Sequence, residues 1–277
     1  MLTTPHPDLL LLGAGQCFFA QITDGVVGPM RHLGNCEALE LTTTDDVLIK
    51  RSSMSAGRPI YKKINRAREQ TFRVVGNEFD HHNMALMTMG HVVYTTQAAT
   101  PVVDQVLQTD VDTLGTGNLG AVLGDRYYYI GALSATAITV DIGATPLVLG
   151  TDYEVHSADM GVIKILPGST LTVAAGDDLT VSYTPAVITG TAAPAVSGGT
   201  QSLIEGQFMY VADNSSGPNG IMRAWRVSIT PDGALGLISE EFATFALNMT
   251  ATDDTQGLYG GSAEFPLFVV QYLPDAA

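Results

Sequence analysis

The chain has 277 residues, 45% of them apolar, which is enough for one large or two ordinary domains with buried cores. Asp and Glu number 28 against 13 Lys and Arg, a formal charge of −15, and this excludes a tight grip on DNA or RNA because phosphate binding needs clustered, unopposed cations. Gly is abundant at 29 residues and Thr recurs throughout, which favours short strands and tight turns over helical layers.

Residues 1–8 hold no cationic region, and the leucines at 9–12 are too few for a membrane span or a signal core. The product is therefore expected in a reducing cytoplasm. GAGQCFF at 13–19 has the outline of a dinucleotide-binding turn, but Phe18 stands where that fingerprint needs a third small residue. A strand over 16–22 running into a turn at Asp24 and Gly25 is predicted instead. Cys17 and Cys36 sit in separate apolar stretches without metal-ligand spacing. They are expected as free thiols in neighbouring strands, with a disulfide between them as the alternative.

Residues 31–90 organise the rest. They contain Arg31, Lys50, Arg51, Arg58, Lys62, Lys63, Arg66, Arg68 and Arg73, nine of the thirteen cations, on a chain that is otherwise acidic. A strand is predicted over 37–41, and a polar run at 42–46 leads out of it. Residues 50–68 have no sustained period, include Gly57 and Pro59, and read as an extended cationic loop. Strand character returns at 69–75, with Phe72 and Val74 on one face and Thr71 and Arg73 on the other. Asn77 or Asp80 then caps a helix that runs through Met89 and ends at Gly90, with Phe79, His82, Leu86 and Met89 as its apolar stripe. A positive arm on a negative body suggests docking onto copies of the same protein.

Small-residue connectors at 95–101 and 188–200 bracket a segment with its own turns. Strands are predicted there at 127–130, 137–142, 146–149, 153–156, 161–166, 170–174 and 179–184, the spacing of a small β-sandwich, immunoglobulin-like in architecture but without the Cys pair and core Trp. The domain reading is thus a discontinuous β core of residues 1–97 and 200–277, with one flanking helix and an inserted β-sandwich at 98–199. The last third predicts strands at 207–211 and 222–229, a turn at 231–233 into a hairpin strand at 234–238, and strands at 242–249 and 265–272. Pro266 marks the last of these as an edge or bulge.

RHLGN at 31–35, SSMSAGRP at 52–59 and DHHNMALMTMG at 80–90, with IEGQFMYVADNSSGPNG at 204–220 and the following WRVSITPDGALGLISEEFATFAL, resemble the two halves of the major tail tube proteins of long-tailed bacteriophages. The likeness covers about the first and last thirds. It implies a mainly β, tail-tube-type sandwich or barrel with one helix, whose subunits form six-fold or pseudo-six-fold rings that stack into a hollow tube in the virion tail. The implied partners are further copies of the chain, a tape-measure protein and tail-end proteins. DNA would pass through the lumen without specific binding, and assembly would take place in the host cytoplasm. The inserted domain is extra to the minimal pattern and would face outward.

Chemistry is expected to be absent: no catalytic, cofactor-binding or metal-binding residues are assigned. Adjacent His81 and His82 point about 100° apart on a helix and cannot easily share a metal. Asp110 and Asp112 lack the Gly and Glu of a calcium loop. The aspartate pairs beginning at Asp45, Asp177 and Asp253 read as solvated corners, and no GxSxG elbow occurs. The working residues are instead placed in the arm: Arg51, Arg58, Lys62, Lys63, Arg66 and Arg68 to meet acidic groups of another copy, with Met54, Ile60, Tyr61 and Ile64 to be buried there. A rival reading is a carbohydrate or cell-surface binding module, for which Tyr127, Tyr128 and Tyr129 are the one candidate platform.

Overall fold

The structure, a computed structural model, describes residues 10–115, 117–238 and 240–273. Residues 1–8, read above for a leader, lie outside this set. In chain order the strands are β1 (Gly15–Thr23), β2 (Val26–Val27), β3 (Arg31–His32), β4 (Cys36–Arg51) and β5 (Ile60–Gly76). Helix α1 (His81–Met87) and β6 (His91–Tyr94) follow. Next come β7 (Val102–Gln108), a 3-10 turn at Val111–Leu114, α2 (Leu119–Leu123), β8 (Tyr127–Tyr129), β9 (Thr136–Ile142), β10 (Thr145–Pro146), β11 (Tyr153–Ser157), β12 (Val162–Ile165) and β13 (Leu179–Thr184). The chain finishes with β14 (Pro194–Ser197), β15 (Ile204–Ala212), β16 (Gly220–Pro231), β17 (Phe245–Ala251) and β18 (Phe268–Tyr272). The protein is mainly β, with several antiparallel sheets.

Two compact units divide the chain: Met1–Val93 with Ala195–Ala277, and Tyr94–Pro194. The ends drawn from the sequence, after 97 and after 199, differ from these by a few residues. In the first unit nine strands form one sheet in the order β2-β1-β15-β16-β17-β5-β4, with β3 also on β1 and β18 also on β16. The sheet curls on itself. Phe72 on β5 and Phe208 on β15 lie three strand spacings apart in that order, roughly 14 Å if the sheet were flat, yet their ring centroids are 5.6 Å apart. Inward side chains of the alternating strands, including Phe19, Val74, Val227, Ile229 and Leu247, fill the space within.

Helix α1 adds Leu86 and Met87 to that core. Of the two cap candidates Asp80 is the one used, its side chain accepting from the Asn83 amide at 2.6 Å. The helix ends two residues earlier than predicted, and Met89 rather than Gly90 takes the left-handed conformation, at φ 49°. Gly90 is needed for a different reason: a Cβ there would meet the Ser197 carbonyl oxygen at 2.2 Å.

The second unit has a four-stranded sheet, β10-β9-β13-β7, and a three-stranded one, β11-β12-β8. Val140, Ile142, Leu179 and Val181 from the first sheet and Tyr153, Ile163 and Ile165 from the second share one buried core with Leu119 and Leu123 of α2. Two predicted strands fail here and one strand was not foreseen. Residues 170–174 make only an isolated bridge, Asn118 to Thr172, the strand expected at 146–149 shrinks to β10 and a single bridge at Leu149, and β7, in a weakly alternating stretch, completes the larger sheet.

In the last third the predicted hairpin strand at 234–238 is absent. β16 pairs instead with β17 from the far side of an irregular loop, and Leu237 and Ile238 in that loop are exposed. β18 starts after Pro266 and pairs with β16 alone, as its edge position requires.

Candidate interaction arm

The largest departure from the sequence reading lies at the cationic segment. The structure has no extended loop over 50–68 and no polar exit at 42–46, because β4 and β5 continue outward as one long hairpin. Its register runs from Cys36 opposite Gly76 to Arg51 opposite Ile60. The tip, 52–59, closes through the Ser52 amide to the Pro59 carbonyl at 2.8 Å and the Arg58 amide to the Ser55 carbonyl at 3.2 Å. Helical periodicity fails in this segment because it is strand. Alternation fails because both faces are in water and carry the same mixture of side chains.

β17 pairs with β5 only from Thr71 inward, so the part beyond has β4 as its one strand partner. From Thr42 to Arg51 this outer part extends roughly 30 Å at the usual rise per residue. Every residue from Ile60 to Glu69 is exposed, and on β4 only Val47 of the outer residues is half-buried.

Charges along the arm are sorted by position. At its base Arg68 donates to Asp45 through Nε at 2.6 Å and Nη2 at 3.0 Å, and Arg66 Nη2 reaches Asp46 at 2.8 Å. The Arg68 guanidinium holds the Asp45 carboxyl below its usual value of 3.8. Arg66 and Arg68, expected to seek acids on another copy, are therefore engaged within the hairpin. Toward the tip the balance changes, since residues 47–68 contain no Asp or Glu. Among the described residues no carboxylate forms an ion pair with Lys50, Arg51, Arg58, Lys62 or Lys63. Lys50 lies directly opposite Lys62, a like-charge pairing that weakens a ladder.

Apolar side chains accompany these cations. Leu48 is opposite Ile64 on one face, and Ile49 is opposite Lys63 on the other. Met54 is 82% exposed, Tyr61 70% and Ile60 54%, figures foreign to a finished core. Leu48, Ile49 and Lys50 belong to the arm but were absent from the expected set. The signal that could have found them is the tip itself: Gly57 and Pro59 mark a turn about which β4 folds back onto β5.

Other singled-out groups have structural work. His81 and His82 stack at 4.3 Å between centroids as neighbours on α1. Asp254, read as a solvated corner, is buried and accepts from the amides of Leu258, Tyr259 and Gly261 at 2.8–3.0 Å, which pins its loop. Asp178 accepts from the Asp110 amide and Asp177 from the Ala174 amide. Tyr127 and Tyr129 stand exposed on one face of β8, while Tyr128 turns toward the core of its unit. Among the described residues no helix is long and apolar enough to cross a membrane.

No curated protein matches the chain in sequence. A family model does match, over residues 10–263, and the chain belongs to the family described as protein of unknown function UCP028589.

Proposed function

We propose that this is a structural, non-enzymatic protein that polymerises, and that its assembled form is the stacked-ring tube of a long-tailed bacteriophage, through which DNA leaves the virion. The observation that carries the reading is the outer β4–β5 hairpin: a two-stranded ribbon with no third strand, apolar groups on both faces and five cations near its tip without an ion-pair partner among the described residues. An isolated ribbon of this kind is marginal in water. Packing against a second copy would cover Met54, Ile60, Tyr61 and Leu48, and carboxylates of the acidic body would separate Lys50 from Lys62. Exposed ion pairs contribute only about 0.2–1 kcal/mol each, so apolar burial supplies most of the contact and repetition around a ring multiplies it. The first unit would be the tube core and the second, an immunoglobulin-like insertion, would project outward. An excess of carboxylates toward the lumen would keep DNA phosphates from adhering.

The test is electron microscopy of the purified chain and of a triple variant, Lys50→Glu, Lys62→Glu and Lys63→Glu. Tubes from the parent and folded, soluble, unassembled protein from the variant are expected. Normal tubes from the variant defeat the role of the arm, and a parent that stays monomeric at all concentrations defeats polymerisation.

A second reading draws on Tyr127 and Tyr129, side by side and 53% and 60% exposed, with His156 edge-on to Tyr127 at 5.0 Å. Such a face suits sugar stacking. Binding to a glycan array that is lost in Tyr127→Ala, from a chain that forms no tubes, would favour it.

A further inference from the structure

The arm has a counterpart at the far end of the ladder it extends. β5 runs from Ile60, beside the arm tip, to Gly76, and β17 pairs with it antiparallel so that Phe245 lies opposite Gly76. β16 meets β17 at Pro231 opposite Leu247, and the Asp232 amide donates to the Ala246 carbonyl at 2.9 Å. The loop 233–244 that joins these two strands therefore leaves the sheet at the Gly76 end. From Ile60 to Gly76 the strand spans roughly 50 Å at the usual rise per residue, so loop and arm tip stand at its opposite ends.

The loop also complements the arm in chemistry. Leu235 packs against the core of the unit and anchors the loop. Beyond that anchor Ile238 is 98% exposed and Phe242 95%, the two most exposed large apolar side chains among the described residues, and Leu237 stands beside them in water. Glu240 and Glu241, between Ile238 and Phe242, are exposed, and residues 233–244 contain no Lys or Arg. Arg73 of the inner ladder is already engaged with Asp232 at 2.6 Å and Glu40 at 3.6 Å. Apolar groups held in water in this way mark a contact surface, and its charge is opposite to that of the arm tip.

We infer that the loop 233–244 is the receptor for the arm of a second copy. This rests on the polymerising role proposed above and names the surface on which the arm lands. Leu237, Ile238 and Phe242 cover Met54, Ile60 and Tyr61, while Glu240 and Glu241 meet the cations around Lys62 and Lys63. Two arms meeting each other would set cation against cation and would stop at a pair. An arm meeting a loop is a heterologous contact: every copy held by its loop still extends its own arm, so addition continues along the direction of the strands.

The test reverses the loop charges, Glu240→Lys with Glu241→Lys, alone and together with the arm reversal Lys50→Glu, Lys62→Glu and Lys63→Glu. Folding is followed by circular dichroism and assembly by electron microscopy. The loop reversal alone should fold and form no tubes, and the combined variant should form them again because its signs are exchanged. In parallel, parent tubes grown from equal amounts of isotope-labelled and unlabelled chain are treated with a carbodiimide, which joins an amine to a carboxylate without a spacer. Peptides linking Lys62 or Lys63 to Glu240 or Glu241, one labelled and one not, are expected, and this readout decides alone if the loop reversal does not fold. Normal tubes from the loop reversal, a combined variant that stays unassembled, or links from Lys62 and Lys63 to other carboxylates only, overturn the loop as receptor and leave polymerisation standing. A parent chain that never assembles overturns the polymerising role, and the receptor with it.

Discussion

The inner and outer parts of the β4–β5 ladder share one run of antiparallel pairing, yet only the inner part has a core behind it. Phe72 and Val74 of β5 are fully buried, and β17 pairs along the same strand from Thr71 to Gly76. Beyond Thr42 and Thr71 the same two strands enclose nothing, and their apolar side chains face water. Backbone pairing is therefore a poor guide to where stability resides. What distinguishes the parts is apolar area removed from water, roughly 25 cal/mol per Å², and the outer part lacks it until another surface covers it.

Hydrogen exchange should separate the two most sharply. In the unassembled chain the ladder amides of residues 72–75 should exchange at least about a thousand-fold more slowly than those of 47–51 and 60–65, since the inner set opens only with the core. Equal protection along the ladder would break the comparison. Next in size, Phe72→Ala should cost about 3–5 kcal/mol in denaturant unfolding, whereas Ile64→Ala, of the same strand, should stay within about 0.5 kcal/mol. Asp80→Ala, which removes the cap of the helix that follows β5, should cost about 1 kcal/mol and leave the arm unaffected.

The smallest effect concerns acid. Because the folded-state value of Asp45 lies below 3.8, the contribution of its pair with Arg68 is fully present above that pH and is lost as pH falls through the lower, folded value. Arg68 side-chain NMR signals should therefore change below about pH 4, while unfolding of the core shows no step assignable to this pair. A change centred above pH 5 would rule out Asp45 as its source.

Much of the strand content could be read from local pattern. The alternation of 16–22, 69–75 and 179–184 reflects one buried face, and the Asp80 cap with Leu86 behind it announces α1. Errors cluster where burial does not imprint a pattern. Lys50–Arg68 looked like loop because nothing in one chain buries it, and β7 was hidden because its half-buried and exposed residues alternate irregularly. The strand predicted at 234–238 failed in the opposite way: Leu235 and Leu237 fall at the spacing of one strand face, but β16 continues its ladder with β17 instead.

Composition and spacing alone determine that the chain is β-rich, acidic and charged asymmetrically, because these depend on residue type and short-range period. Only the tertiary structure decides that the cations crown a hairpin, that two of its arginines are already engaged at the base, and that the sheet curls until Phe72 meets Phe208. Register between distant segments and the curl of a sheet arise from contacts summed over the whole core, and no local stretch of residues encodes that sum.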